Sequence, residues 1–365
     1  MSADELVLIT GGTGAIGVPL VEAFAGHGAT VIVLARHPVH HAPSGVRLIG
    51  GDIIDRHALG VGDHAREIRD QVTTIVHAAA LTRFDAPLEA ARAVNVDGTR
   101  NVLSFADGCR KLKRICLLST IYVAGRRTGR IAEADLDHEQ GFVNAYEQSK
   151  YETEQMVRQA MATLPIAVCR LSTAIGDSST GALHRLGAIH HAIRFLHHGL
   201  LPMIPGRPDS PVDLIATDYA VAAIRHVAGR GFEAGRTIHI CAGRETLTEN
   251  ELLDLAIEAF LRYRPAWRRR AIEKPAIVEL ATFELFRQSV EAVADSTLRS
   301  AVAVLAPFAP QLAYPKIFDD EHCRTLLASS GIVRPPIRDT LMNVVRHLIE
   351  HDWATGRGAG GGAAA

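Results

Sequence analysis

The chain has 365 residues, a formal net charge of −1 and a hydrophobic fraction of 47%. The length exceeds one average domain and fits a large α/β domain with a smaller one appended. A net charge near zero gives no electrostatic case for a nucleic-acid partner. No apolar run reaches the roughly 18 residues that a membrane helix needs, and Glu5 leads straight into a strand. We therefore expect no signal peptide and a cytoplasmic protein.

Short strand-like runs alternate with helical patterns through the first half of the chain. Continuous apolar strands separated by helices are typical of a parallel sheet that is covered on both faces. The prediction is a doubly wound α/β fold of the Rossmann type. The first helix is predicted over residues 14–26, and the strands over residues 6–10, 30–34, 46–49, 74–77, 115–119 and 166–171.

The alternation fades after about residue 175. Residues 182–200 predict an amphipathic helix, and residues 237–241 predict a strand that returns to the sheet. Residues 248–353 are mostly helical in pattern and begin with a capping box of Thr248 and Glu251. We predict three parts: a Rossmann domain with some later strands returning to it, a smaller and mainly helical substrate-binding region, and a disordered Gly/Ala-rich tail. Their bounds are residues 1–175, 176–353 and 354–365.

A glycine-rich loop joins the first strand to the first helix. It has the sequence TGGTGAIG over residues 10–17. In that context small residues let the backbone approach a pyrophosphate, and the helix N-terminus offers free N–H groups and a positive dipole. The residues predicted to bind a dinucleotide here are Gly11, Thr13, Gly14, Ala15, Ile16 and Gly17, together with the small side chains of Ala78, Ala79 and Ala80 at another strand end.

The second strand ends at Arg36. An acidic residue at this position would bind the ribose 2′-hydroxyl of NAD(H), whereas an arginine suits the 2′-phosphate of NADP(H). The prediction is therefore NADP(H), with NAD(H) as the alternative.

Tyr146 and Lys150 are four residues apart and share one face of a predicted helix. A free tyrosine has a pKa of about 10, and we expect the Lys150 ammonium to lower it. Tyr146 would then exchange a proton with a substrate oxygen while a hydride moves to or from carbon, and Lys150 would also hold the nicotinamide ribose. A hydroxyl group at the end of the preceding strand would polarise the carbonyl, with Thr120 as the first candidate and Ser119 as the second.

These motifs resemble the extended short-chain dehydrogenase/reductase superfamily. The resemblance is carried by residues 10–17, HAAA at 77–80, NVDGT at 95–99, the Ser119/Thr120 and Tyr146/Lys150 pairs, and RLS at 170–172. It adds Asp52, Ile53 and Leu171 to the expected cofactor site, with Asp52 at the adenine amine. It also implies a mainly structural role for Asn95.

A narrower resemblance concerns the substrate. Residues 77–88 (HAAALTRFDAPL), running into 93–100, are similar to fatty acyl-CoA reductases of the male-sterility type, and residues 145–154 and 174–181 are similar to bacterial thioester-reductase domains. This similarity implies NADPH-dependent reduction of an acyl thioester, on CoA or on an acyl carrier protein, to an aldehyde or further to an alcohol. Such chemistry needs no catalytic cysteine, and Cys116 and Cys169 are expected to be buried thiols.

The same catalytic residues would serve other reactions. The main alternative is a reductase or dehydrogenase of a free ketone, aldehyde or sterol-like alcohol. A nucleotide-sugar epimerase is more distant, and an NADP-binding sensor or scaffold without catalysis is the third alternative. A homodimer and peripheral contact with a membrane stay open.

Two further clusters are expected to be solvated surface. Histidine pairs at 190/191 and 197/198 share a helix face, and residues 37, 40 and 41 are also histidines, but no carboxylates or cysteines accompany them, so no metal site is predicted. An arginine-rich patch covers residues 262–270, around Tyr263 and Trp267.

Overall fold

A seven-stranded parallel sheet carries the fold. The structure, a computed structural model, describes residues 5–37, 44–270, 272–292 and 296–354. The strands are β1 (Leu6–Thr10), β2 (Thr30–Ala35), β3 (Val46–Gly50), β4 (Thr74–His77), β5 (Arg114–Thr120), β6 (Ile166–Leu171) and β7 (Thr237–Ile240). Their spatial order is β7-β6-β5-β4-β1-β2-β3, and every neighbouring pair is parallel. This arrangement confirms the predicted doubly wound α/β fold.

Helices cover both faces of the sheet because alternate strand residues point to opposite faces. Val31 and Val33 of β2 pack on one face, and Ile32 and Leu34 pack on the other. The helices are α1 (Gly17–Gly26), α2 (His64–Gln71), α3 (Leu88–Arg92), α4 (Gly98–Asp107), α5 (Ala145–Ala160), α6 (Ala188–His198), α7 (Thr217–Val227), α8 (Glu249–Tyr263), α9 (Leu280–Ala292), α10 (Ser296–Leu305), α11 (Glu321–Leu327) and α12 (Ile337–Glu350).

The second half of the chain is divided between the sheet and a helical core of its own. Ile224 of α7 and Cys323 of α11 lie in the core on the α1 face of the sheet, and β7 extends the sheet beyond β6. Phe260 of α8 and Leu348 of α12 instead lie in a separate hydrophobic core between helices. The capping box at α8 is confirmed, since the Glu251 amide donates to the Thr248 hydroxyl and the Thr248 amide donates back to the Glu251 carboxylate.

Short strand pairs tie loops together around the sheet. Lys316–Phe318 lies parallel to Gly129–Ile131, which brings a late segment of the chain next to the turn that follows β5. The remaining pairs are Met203–Pro205 with Ala276–Val278, Pro211–Val212 with Leu247–Thr248, and Leu214–Ile215 with Thr173–Ala174.

The expectation of a solvated histidine face on α6 is wrong for His190 and His197, whereas His198 is exposed as expected. His190 is 3% exposed and His197 is 1% exposed. His190 closes the start of its helix by accepting the Gly187 amide, and His197 stacks among Phe260, Trp267 and Trp353. The face that these histidines share is therefore the buried face.

In the arginine-rich patch, Trp267 is also buried, and its indole N–H donates to the His197 carbonyl at 2.8 Å. The side chains of Arg262, Arg264 and Arg268 are exposed. Those of Arg269 and Arg270 lie outside the described residues, as do His40, His41 and residues 355–365 of the predicted tail. Cys116 and Cys169 are buried free thiols, as predicted. Within the described ranges, no helix has the length and apolar character needed to cross a membrane.

Candidate active site

The glycine loop turns tightly at the carboxyl end of β1. Gly11 has φ +73°, and a Cβ atom on it would lie 2.5 Å from the Ala79 amide nitrogen, so only glycine fits there. The Gly14 amide donates to the Gly11 carbonyl at 3.0 Å, which delays α1 until Gly17 rather than residue 14. In the part of the chain that the structure describes, the Thr13 and Ala15 amides donate no hydrogen bond. The loop therefore fits a dinucleotide pyrophosphate.

The next two strand ends present the residues predicted to bind the adenosine half of the cofactor. Arg36 is exposed directly after β2. Asp52 follows β3, and one of its carboxylate oxygens accepts the Ile54 amide at 3.1 Å. Ile53 is buried against Gly98, where a Cβ atom would lie 2.8 Å from its side chain.

A buried hydrogen-bond chain fixes the end of β4. Thr99 donates to the Asn95 carbonyl at 2.6 Å, so its oxygen accepts the Nε2 proton of His77 at 2.9 Å. The His77 Nδ1 atom then accepts the Thr10 hydroxyl at 2.6 Å. Burial, with the Lys150 charge as a smaller cause, lowers the pKa of His77 to about 3. A neutral histidine thus joins β1, β4 and α4, and it holds Ala78–Ala80 against the glycine loop.

Asn95 lies in the single π-helical turn between α3 and α4. Its side-chain oxygen accepts the Leu81 amide at 2.7 Å, and its amide group donates to Ser149 at 2.8 Å. Asn95 therefore connects the loop after β4 to the helix that carries Tyr146.

The structure brings Thr120, Tyr146 and Lys150 together at the carboxyl end of β5. Thr120 begins a short 3₁₀ turn, Ile121–Ala124, and its hydroxyl oxygen accepts the Tyr122 amide at 3.2 Å. The Thr120 proton is therefore free to point to another acceptor, and the Thr120 hydroxyl lies close enough to Tyr146 to affect the pKa of that phenol. Tyr146 occupies the first turn of α5, which Asn144 caps by accepting the Glu147 amide at 3.0 Å.

The expected lowering of the tyrosine pKa by Lys150 is wrong. Burial raises the pKa of Tyr146 to about 12, and the nearby Thr120 hydroxyl offsets only part of that effect. The Lys150 ammonium instead donates to the Leu118 carbonyl at 2.8 Å, and burial lowers the pKa of Lys150 to about 8 although Glu154 opposes this. Tyr146 is consequently a neutral phenol near pH 7, the form that can donate a proton.

Ser119 points away from Tyr146. Its hydroxyl donates to Glu154 at 2.5 Å, and Glu154 pairs with Arg170 at 2.8 Å with both side chains buried. Arg170 also donates to the Asp135 carbonyl at 2.7 Å. This arrangement favours Thr120 over Ser119 as the hydroxyl that faces a substrate. Leu171, the last residue of β6, is half-buried.

Two phenylalanines that sequence reasoning did not assign extend from Tyr146 as a row of aromatic rings, with Phe84 in contact with Tyr146 and Phe308 in contact with Phe84. The Phe84 ring meets the Tyr146 ring edge-on, with centroids 5.5 Å apart. The Phe308 ring lies 6.2 Å from Phe84. Phe84 belongs to the segment with the acyl-CoA reductase resemblance, but nothing in the sequence places Phe308 there.

A buried polar chain behind Tyr146 was also missed. Gln311 donates to Glu147 at 2.7 Å, and Lys316 donates to Gln311 at 2.8 Å and to the Gly125 carbonyl at 2.9 Å. Burial raises the pKa of Glu147 to about 7 and lowers that of Lys316 to about 8, while each charge favours the other. The chain connects the start of α5 to the turn after Thr120. Only its Glu147 end borders a recognisable motif.

Comparison with known proteins identifies the family. The family described as male sterility protein matches residues 34–224, just over half of the chain. The chain belongs to this family. It is an NAD(P)-dependent oxidoreductase of the extended short-chain dehydrogenase/reductase type.

Curated relatives match over part of their length. The fatty acyl-CoA reductase wat of Drosophila melanogaster is 24% identical over 208 residues, which are 49% of this chain and 40% of the relative. The non-canonical nonribosomal peptide synthetase hkm10 of Aspergillus hancockii is 30% identical over 195 residues, 50% of this chain and 19% of the relative. The chain thus spans well under two thirds of these proteins.

Solved structures share the fold over nearly the whole chain. The terminal R domain of the myxalamid PKS-NRPS pathway has a TM-score of 0.78 at 22% identity, covering 97% of this chain and 92% of that one. The Bordetella bronchiseptica enzyme WbmG in complex with NAD has a TM-score of 0.66 at 18% identity, covering 96% of each chain.

Proposed function

We propose that this enzyme uses NADPH to reduce an acyl thioester, carried on CoA or on an acyl carrier protein, to an aldehyde. The observation that carries the proposal is the position of Tyr146, a neutral phenol in the first turn of α5, near the Thr120 hydroxyl at the carboxyl end of β5. Relatives that are named fatty acyl-CoA reductases support the thioester as substrate.

The residues present fit the cofactor. The glycine loop would hold the pyrophosphate, Arg36 the 2′-phosphate, Asp52 the adenine, and Lys150 the nicotinamide ribose. When bound, NADPH supplies the hydride. The preference for NADPH over NADH rests on Arg36, whose guanidinium can make charge-assisted hydrogen bonds to a phosphate.

Thr120 and Tyr146 act on the carbonyl oxygen. Both hydroxyls can donate to it, so that negative charge developing on the oxygen is stabilised as the carbon is reduced. Tyr146 then gives its proton to that oxygen, which yields a hemithioacetal. Collapse of the hemithioacetal breaks the C–S bond, and the hydroxyl proton ends on the sulfur, so a thiol and an aldehyde leave. No step requires a cysteine.

The test is incubation of the protein with NADPH and lauroyl-CoA, with thiol release and NADPH oxidation measured together. The proposal expects both to occur at equal initial rates, or in a ratio of one thiol to two NADPH if the aldehyde is reduced further. Turnover of a panel of ketones without any thiol release from the thioester would support the alternative reductase and contradict the proposal.

A further inference from the structure

Phe84, Phe308 and Tyr146 form an aromatic cluster that comes from three distant parts of the chain. The three side chains are all half-buried. The edge-on contact between Phe84 and Tyr146 sets the phenol ring against an apolar wall, in the geometry that aromatic pairs prefer. A half-buried apolar wall therefore lies directly beside a candidate proton donor.

The loop that carries Phe84 holds this ring inward. The flanking Arg83 and Asp85 pair with each other at 3.0 Å, with side chains that are 63% and 56% exposed. The loop is anchored before Phe84 by the bonds between Leu81 and Asn95 and after it by Ala86, which is 9% exposed. The charged neighbours face water while Phe84 faces Tyr146.

Phe308 is fixed from the opposite side. The carbonyl of Pro307 accepts the side-chain amide of Asn144, the cap of α5, at 3.3 Å. The Phe308 carbonyl accepts the Gln311 amide at 3.0 Å, and Gln311 is bonded to buried Glu147. Phe308 is thus tied to the helix that carries Tyr146, so the wall and the phenol keep their relative positions. Such preorganised apolar surface suits ligand binding.

We infer that Phe84 and Phe308 are specificity-determining residues, which pack on an apolar acyl group while its carbonyl lies at Tyr146. The inference rests on the proposed function and deepens it, because it names a class of acyl group. Binding of a long alkyl group is stabilised because the group buries apolar surface on both rings, whereas an acetyl group is too short to reach both.

The test compares kcat/KM for lauroyl-CoA and acetyl-CoA in the unmodified enzyme, Phe84→Ala, Phe308→Ala and Phe232→Ala. Phe232 is a matched control, since it is half-buried against the sheet core. The ratio of the two kcat/KM values removes any common effect of a displaced Tyr146. We expect the ratio to fall about 10-fold in Phe84→Ala and Phe308→Ala, the size of effect that loss of an apolar pocket contact produces, and to stay within about 2-fold in Phe232→Ala.

An unchanged ratio in both site variants overturns the inference, and so does an equal fall in Phe232→Ala. If an alanine variant does not fold, as judged from its thermal midpoint, Phe84→Leu or Phe308→Leu replaces it, because leucine keeps apolar volume and removes the ring. If the unmodified enzyme reduces neither thioester, and also fails to reduce the same acyl groups on an acyl carrier protein, the proposed function fails and this inference fails with it. Thioester reduction with an unaltered ratio overturns the inference alone.

Discussion

The two sides of the candidate site are assembled in different ways. The proposed cofactor side is built from consecutive strand ends: the glycine loop and Arg36 directly follow β1 and β2, and Asp52 lies two residues after β3. The proposed substrate side combines Phe84 with Phe308 and the Gln311–Lys316 segment. Phe84 lies more than 200 residues before the other two in the chain. The geometry of the cofactor side follows from the parallel order of the strands alone. The geometry of the substrate side depends on how the later part of the chain packs against the sheet.

The difference suggests that chemistry and selectivity can vary independently in this enzyme. Substitutions at the strand ends should remove turnover or cofactor preference for every substrate. Substitutions on the docked segment should change which substrate is used, or how firmly the segment is held. The predictions below test that division, beginning with the largest effect.

Tyr146→Phe should lower kcat for thioester reduction by about 10²–10⁴-fold, because it removes the proton donor and leaves the ring that packs on Phe84. Binding of NADPH, measured by fluorescence titration, should stay within about 2-fold. Retention of more than a tenth of the activity would show that another group supplies the proton.

Lys316→Met should lower the free energy of unfolding, measured with urea, by about 3 kcal/mol, since it leaves the buried Glu147 carboxylate without its cation. The matched control is Lys274→Met, whose pair with Asp254 is partly exposed and should cost about 0.5 kcal/mol. Equal losses in the two variants would contradict a docked segment held by the buried chain of Glu147, Gln311 and Lys316.

The decrease in the free energy of unfolding caused by Lys316→Met should also depend on pH. The pKa of Glu147 is raised by burial, and removal of Lys316 raises it further. Above that pKa the variant must bury an uncompensated charge, and below it the carboxyl group is neutral. The deficit should therefore be larger at pH 8.5 than at pH 5.5, and a deficit independent of pH would count against this account.

Arg36→Ala should raise KM for NADPH about 10-fold and leave KM for NADH within about 2-fold, because only NADPH has the 2′-phosphate that the guanidinium would bind. The measurement is steady-state kinetics with each cofactor at saturating thioester. Equal changes for both cofactors would assign Arg36 to the exposed surface.

The smallest expected effect is a shift in the pH profile. Burial lowers the pKa of Lys150 to about 8, so its ammonium, and with it kcat/KM, should be lost as pH rises through about 8. Lys150→Arg keeps a charge at this position above that pH, since arginine stays protonated. The variant should therefore keep at pH 9 the kcat/KM that it has at pH 7. If kcat/KM of the variant still decreases through about pH 8, a group other than Lys150 causes the decrease.

Local sequence patterns predicted the cofactor side because each residue there follows from its strand. β1, β4 and β6 have the predicted bounds, and the glycine spacing explains the turn at Gly11. The patterns failed where burial is decided by tertiary packing. His197 lies on an amphipathic helix but stacks in the helical core, and the pKa of Tyr146 is governed by burial rather than by Lys150. No spacing rule could connect Phe308 or Lys316 to Tyr146, since both lie in a segment more than 150 residues later in the chain.

The most direct test of the central claim is the stoichiometry of one reaction. Unmodified enzyme, NADPH and lauroyl-CoA are mixed, and free thiol and oxidised cofactor are measured in the same sample, with Tyr146→Phe as the control. The account predicts one thiol released for each one or two NADPH oxidised, and formation of both products about 10²–10⁴-fold more slowly with Tyr146→Phe. NADPH oxidation on ketones or aldehydes, with no thiol released from the thioester, would contradict it.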